Sequence, residues 1–229
     1  MLMNTISEFF SLEHTIAREI FNGVDYPHKI LDLLGGFILN LGETLSKDDF
    51  YCYKSGVWVS KSARIADSAY ICAPCIIDAD AEIRHSAYIR GNAIIGKRCV
   101  VGNSTELKNV LLFDGVQVPH YNYVGDSVLG YKSHLGAGAI TSNVKMDRSH
   151  ITVCYGKEKV DTGMKKIGAI IGDFVEVGCG AVLNPGTVIG KNSNIYPLSS
   201  VRGYVCANSI YKSSLVTERK LPYRSGGEG

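Results

Sequence analysis

"ARIADSAYICAPCIIDADAEIRHSAYIRGNAIIGKRCVVG", residues 63–102, repeats every six residues. Val59 starts the series and Ile65, Ile71, Ile77, Ile83, Ile89, Ile95 and Val101 continue it, all β-branched. Two residues before each stand Val57, Ala63, Ala69, Cys75, Ala81, Ala87, Ala93 and Cys99, nearly all small. The pattern resumes at Ile171, Val177, Leu183, Ile189, Ile195 and Val201, preceded by Ala169, Val175, Ala181, Thr187, Ser193 and Ser199. A period of six fits neither a helix nor a simple alternating strand. It fits a solenoid of very short strands joined by tight corners. Each β-branched residue then points inward from a flat side. The small residue turns inward at the corner, and glycines such as Gly96 and Gly172 relax the bends. Three hexads make one triangular coil, so Ile65, Ile83 and Val101 should stack in one internal ladder. Coils should lie about 4.8 Å apart, as paired strands do. The expected fold class is an all-β solenoid.

The chain of 229 residues has a net charge of +2, which gives no global bias toward nucleic acid or a membrane surface. No apolar run approaches the roughly 20 residues of a membrane span. Glu8 and Glu13 stand where a secretory signal would be basic and apolar, so a cytoplasmic location is expected. Seven scattered cysteines read as reduced thiols rather than a disulfide framework. Cys72 and Cys75 are the single C-x-x-C pair, and the repeat points the first outward and the second inward, so no metal is expected.

Residues 1–50 lack the period and read as an N-terminal helical cap. "TISEFFSLEHTIAREIF" opens with a capping-box pair, Thr5 and Glu8, and continues with Phe9, Leu12, Ile16 and Ile20 at helical spacing. Pro27 suits the start of a second helix, which Gly42 should end. Residues 51–210 read as the solenoid, with a long polar loop ejected at about 142–167. Residues 211–229 read as a C-terminal tail, glycine-rich at its end.

Between the two runs of hexads lies "VPHYNYVGDSVLG", residues 118–130, with a histidine, two tyrosines and an aspartate. In order along the chain come "RGNAIIGKRCVVGNSTELKN", "PHYNYVGDSVLG", "LGAGAITSN" and "GAIIGDFVEVGCGAVLNPGTVIG". Together they resemble the acetyltransferase domain of the bifunctional N-acetylglucosamine-1-phosphate uridyltransferase/glucosamine-1-phosphate acetyltransferase family, over roughly residues 57–205. "VDTGMKKIGAIIGD" is similar to a variant of that domain in other sugar-phosphate nucleotidylyltransferases. The resemblance implies a left-handed parallel β-helix and a homotrimer with active sites between subunits. It implies acetyl-CoA as donor, an amino-sugar phosphate as acceptor and a place in nucleotide-sugar metabolism. No nucleic-acid or membrane partner is expected.

Residue by residue, the resemblance assigns Arg90 and Lys108 to the sugar phosphate, His120 to the general base and Tyr123 to a substrate contact. It assigns Asn143 to the neighbourhood of the acetyl group and Ala137 to a backbone contact with CoA. His134 stands where the family has a sugar-contacting asparagine, and Cys179 where it has a CoA-contacting serine. The expected arginine for the CoA phosphate aligns near Ser214, with Lys212 and Arg219 close by; Lys145, Lys165 and Lys166 are candidates for a loop lysine. The residue types suit the chemistry. A neutral imidazole takes the proton of an amine attacking a thioester. An asparagine amide stabilises the oxyanion that forms. Arg90 and Lys108 are separated by one full coil, as two cations gripping one phosphate require. Asp126 is a candidate to orient His120.

The same residues admit two other readings. One is a non-catalytic trimeric scaffold or sugar-phosphate-binding module that has lost CoA binding. The other is a zinc enzyme of the carbonic anhydrase type, for which His85, His120 and His134 would have to converge. Residues 1–50 are too short for a nucleotidyltransferase domain and hold no glycine-rich nucleotide loop, so no uridylyl transfer by this chain is expected.

Overall fold

The computed structural model describes residues 5–213 and 216–220. The hexads form a left-handed parallel β-helix. Each coil has three faces. Face one contains Val57–Ser60, Cys75–Ile77 and Ala93–Ile95, paired in parallel. Face two contains Arg64–Ile65, Glu82–Ile83 and Val100–Asn103. Face three contains Tyr70–Ile71 and Tyr88–Ile89, then the Glu106 end of Glu106–Leu112, which rounds the corner to pair with Ala93–Ile95 on face one.

The inward ladder is the expected one, and it does not stop where the six-residue count stops. Ile65, Ile83 and Val101 are in register, and Val118, Leu135, Val177 and Ile195 continue the row. In the middle coils Tyr123 stands opposite Glu106 and Ile140 opposite Tyr123, so each coil advances one residue short of three full hexads. That single dropped residue per coil hides the repeat between residues 103 and 141 without breaking the solenoid, and the ejected segment interrupts it from there to 168. The corners need close backbone approach. A Cβ on Gly102 would lie 1.5 Å from the carbonyl oxygen of Pro119 on the next coil.

Face one is buried on both sides. The central residues of its strands point outward, yet Ile76, Ile94, Leu111, Val128, Ile170 and Val188 are fully buried. The N-terminal segment covers the earlier coils, and the strand Thr152–Tyr155 packs on Thr187–Ile189. Helix α1 (Thr5–Phe9) is followed by turns of 3₁₀ helix at Leu12–His14 and Arg18–Phe21, and helix α2 (Ile30–Thr44) lies against the face-one strands of successive coils. Leu31, Leu34 and Ile38 of α2 are buried there, and Phe10 stacks on Phe113 at 4.9 Å. Each aliphatic side chain so covered contributes about 2 kcal/mol.

The N-terminal segment therefore runs along a flank of the solenoid, where an end cap was expected. Its first part is also not one continuous helix. The solenoid captures its backbone: Asp173 accepts hydrogen bonds from Ser11 N at 2.9 Å and Ser11 Oγ at 2.8 Å, and the N–H groups of Asp114 and Asp173 donate to the carbonyls of His14 and Phe9. Gly42 does not end α2. It sits in the last turn, where the Trp58 ring occupies the space a Cβ would take, at 2.4 Å.

The ejected segment is a docked hairpin, Thr152–Tyr155 against Glu158–Asp161. Ile151, Val153 and Tyr155 are buried, and the Tyr155 ring meets Phe9 at 5.8 Å. Ser209–Ser213 pairs with Val216–Arg219, so the expected tail begins as a second hairpin. Ser214 and the glycine-rich end lie outside the described residues. No described helix is long and apolar enough to cross a membrane.

The flank carries a pH-sensitive contact. His28 is buried, with Nδ1 2.8 Å from the Tyr155 hydroxyl. Burial, aided by Lys29, lowers its pKa from 6.5 to about 4. The unfolded chain therefore binds a proton between those values that the folded chain refuses. The contribution is fully present above pH 6.5 and is lost as pH falls toward 4, by about 3 kcal/mol at most. Urea midpoints of wild type and His28→Gln, compared at pH 7 and pH 4.5, should converge at the lower pH. Parallel pH profiles for the two proteins would remove His28 as a cause.

Candidate active site

Face three is two residues wide, and two corners bound it. On the corner toward face one, Arg90 follows Ile89 as Lys108 follows its partner Leu107, and Lys108 is in turn paired with Gly125. The two cations thus stack on adjacent coils as the spacing predicts. On the corner from face two, His120 is paired with Asn103. Ala137 and Cys179 continue that column: Gly138 N donates to the His120 carbonyl at 3.1 Å, and Gly180 N to that of Ala137 at 2.8 Å. Tyr88, Glu106, Tyr123, Ile140 and Val182 form the outward row between the two corners.

Asp126 organises the cation corner. It is 3% exposed and has a φ of 47°. Its carboxylate accepts hydrogen bonds from Lys108 Nζ at 2.9 and 3.1 Å, from Asn109 Nδ2 at 3.0 Å, and a short one from Asn143 Nδ2. Asn143 Nδ2 also donates to the Tyr123 hydroxyl at 3.3 Å. The structure therefore joins Lys108, Tyr123 and Asn143 through one carboxylate. Asp126 does not orient His120, because it lies at the opposite corner with its oxygens already engaged. Burial raises the Tyr123 pKa, and the carboxylates of Asp126 and Glu106 add to the effect, so the phenol stays protonated. Gly125 makes room for it; a Cβ there would sit 2.5 Å from the Tyr123 oxygen. Arg90 Nη1 meets Glu106 Oε1 at 2.8 Å, which raises the guanidinium pKa further.

The His120 ring is exposed and makes no hydrogen bond among the described residues. Its backbone is fixed by Asn122, which is buried. The Asn122 Oδ1 accepts from His120 N at 3.1 Å, and its Nδ2 donates to the carbonyls of Gly136 at 2.8 Å and Ala139 at 3.0 Å. His120 and Tyr123 are three residues apart, hence within about 10 Å across face three. His134 lies round the corner on face two, with Nδ1 2.8 Å from Glu176 Oε2. His85 Nδ1 lies 2.6 Å from Ser68 Oγ. Among the described residues no three histidine, cysteine, aspartate or glutamate side chains are grouped to hold a metal.

A solenoid with cations, an amide and a histidine flanking one face defines a class, the hexapeptide-repeat left-handed β-helix proteins. Comparison with known proteins finds relatives over part of the chain. The family described as GMPPB C-terminal domain matches residues 71–164. A bifunctional sugar-1-phosphate nucleotidylyltransferase/acetyltransferase from Sulfurisphaera tokodaii is 31% identical over 176 residues, covering 77% of this chain and 43% of the relative. A bifunctional protein GlmU from Methanococcus maripaludis is 41% identical over 109 residues, 48% of this chain and 26% of the relative. The chain is thus related to part of these bifunctional enzymes and spans less than half their length. Among solved structures, the acetyltransferase domain of PglB from Neisseria gonorrhoeae aligns over 73% of this chain and 59% of that one, with 15% identity and a TM-score of 0.34.

Proposed function

We propose that the chain is a CoA-dependent N-acetyltransferase acting on an amino-sugar phosphate, such as glucosamine-1-phosphate, or a related small amine. The observation that carries this reading is the arrangement about face three: stacked Arg90 and Lys108 on one corner, His120 on the other, Tyr123 between them. The bifunctional relative from Sulfurisphaera tokodaii carries acetyltransferase in its name. In this reading Arg90 and Lys108 hold the phosphate, the arginine exchanging Glu106 for phosphate oxygens. Tyr123 donates to the sugar. His120 accepts the amine proton as the nitrogen attacks the thioester carbon. Asn143 exchanges its long Nδ2 contact with Tyr123 for the oxyanion, which it holds until the C–S bond breaks and the CoA thiolate leaves. Ala137 and Cys179, one and two coils beyond His120, line the donor's path. His134 contributes to the acceptor pocket from the neighbouring face, in a homotrimer with sites between subunits.

Calorimetric titration of the protein with acetyl-CoA, with and without glucosamine-1-phosphate, tests this. Saturable CoA binding is expected. A second reading, a sugar-phosphate-binding scaffold that has lost CoA binding, draws on the changed CoA positions, with Cys179 where the family has a serine and Ser214 where it has an arginine. Sugar-phosphate binding by a folded protein that ignores CoA would select it.

A further inference from the structure

The first coil of the solenoid is not the end of the face-one sheet. Phe50–Lys54 pairs antiparallel with Val57–Ser60, and its other edge pairs with no strand among the described residues. The N–H and C=O groups along such an edge are a template for another strand. We propose that this edge pairs with the same strand of a second copy of the chain, antiparallel about a two-fold axis, so that two solenoids meet head to head. The proposal stands apart from the acetyltransferase reading, because the residues assigned to that reaction take no part in it.

The composition of the strand argues for a covered contact. It reads "FYCYK", without proline or glycine, and everything after Phe50 is exposed. Tyr51 and Tyr53 are 44% and 47% exposed, and aromatic side chains so placed are what interface cores use. Beside the strand Leu45, Phe50, Tyr51, Cys52 and Trp58 line an apolar cleft of about 310 Å³. The charges name the occupant. Asp48 and Asp49 precede the strand and Lys54 ends it, all three exposed. None has an ion pair among the described residues; the Lys54 ammonium lies over the Tyr70 ring at 5.2 Å. Acid at one end and base at the other make the strand complementary to itself in antiparallel order, whereas parallel order sets like charges together.

Pairing centred on Cys52 sets Tyr51, at the mouth of the apolar cleft, against the partner subunit's Tyr53. Tyr53 is the extra residue of a bulge in the pairing with Val57–Ser60, so its position is not held by that strand. Lys54 then stands opposite the partner subunit's Phe50, with the partner subunit's Asp48 as its diagonal neighbour, within reach of a lysine. The other end of the solenoid is built differently. Its outermost strand, Val216–Arg219, carries Glu218 and Arg219 and runs into Lys220, charges that blunt an edge. The pairing is therefore head to head, which closes, rather than head to tail, which does not. One five-residue strand is a small contact. The two-fold axis is normal to face one, however, so in a trimer with parallel solenoids every subunit makes the contact at once and the pairs reinforce one another.

Light scattering after gel filtration, on wild type, Tyr53→Lys, Lys54→Asp and the double variant Asp48→Lys/Lys54→Asp, tests the pairing. The wild type should weigh twice the unit to which both single variants fall. Each substitution enters the contact twice by symmetry and should raise the dissociation constant about 10-fold or more, with unchanged melting because these side chains are exposed. The double variant restores opposite charges at the two ends and with them the doubled mass. A short bis-maleimide should join two wild-type chains through Cys52, and Cys52→Ser should abolish that product. A wild-type mass equal to that of both single variants at every concentration overturns the proposal. So does open-ended growth, which is the mark of head-to-tail pairing. A double variant that stays at half the wild-type mass overturns the antiparallel order.

Discussion

Replacing His120 by alanine is expected to lower acetyl transfer at least about 100-fold while leaving fold and assembly unchanged. The two halves of that expectation have separate origins. The ring is exposed, makes no hydrogen bond among the described residues and has its one ring contact with the exposed neighbour Tyr121 at 6.2 Å, so its loss removes no buried packing or hydrogen bond that holds the chain. Substitutions at such positions alter stability by about 0.5 kcal/mol or less. The turn that carries the ring is built by Asn122 through backbone groups, and Asn122 remains. What goes, in the proposed mechanism, is the acceptor for the amine proton. Release of CoA thiol, followed at saturating acetyl-CoA, measures the rate, and sedimentation measures the assembly. KM for the sugar phosphate should change little, since Arg90 and Lys108 are untouched. Equal turnover in the two proteins would take His120 out of the mechanism. Asn122→Ala gives a second check: it should lower both stability and rate, because it unbinds the turn as well as misplacing the ring.

The sequence carried the solenoid because inward β-branched residues at a fixed interval can be satisfied only by a stack of equal coils. It carried the pairing of Arg90 with Lys108 for the same reason, since one period separates them. It concealed the central coils, where each advance is one residue short and a strict count of six loses step. The cover of face one has its own signature. The face-one strands run "CII", "AII", "VLL", "SVL", "AII" and "TVI", and the middle apolar residue of each points away from the core. A row of outward apolar residues along one face demands a cover, which the N-terminal segment supplies over the earlier coils instead of capping an end. The role of Asp126 was not legible at all. Its partners Lys108, Asn109 and Asn143 come from other coils, and at the strained φ of 47° the side chain turns toward the cation corner instead of toward His120. Fold and site differ in this respect: the repeat fixes which residues stack, whereas which carboxylate meets which cation depends on corner geometry.

Asp126→Ala should be the most damaging single change at the cation corner, costing about 2–3 kcal/mol of stability and weakening sugar-phosphate binding about 10-fold or more. Removing one partner of a buried ion pair costs about 3–5 kcal/mol when the other stays buried. Lys108 retains 27% of its side-chain surface in solvent, so it turns outward and part of that cost is relieved. Asn109 and Asn143 are half-buried too, and each of their amides loses an acceptor. Asn109 already keeps a buried Oδ1 without a partner, and losing the acceptor for its Nδ2 leaves the whole amide unbonded. Asn143 keeps only its long contact to Tyr123. Binding suffers because Lys108 loses the strut that aligns it with Arg90. Asp126→Asn keeps an acceptor oxygen but sets an amide donor against Lys108, so it should fall between wild type and alanine. Urea unfolding of Asp126→Ala, Lys108→Met and the double variant measures the coupling, expected at about 1–2 kcal/mol for residues in direct contact. A loss in Asp126→Ala no larger than an ordinary surface substitution gives, about 0.5 kcal/mol, would mean that the carboxylate merely neighbours the lysine. Additive single variants would mean the same. Phosphate affinity separates the two roles: if Asp126 serves stability alone, the variant kept folded below its melting point binds glucosamine-1-phosphate as the wild type does.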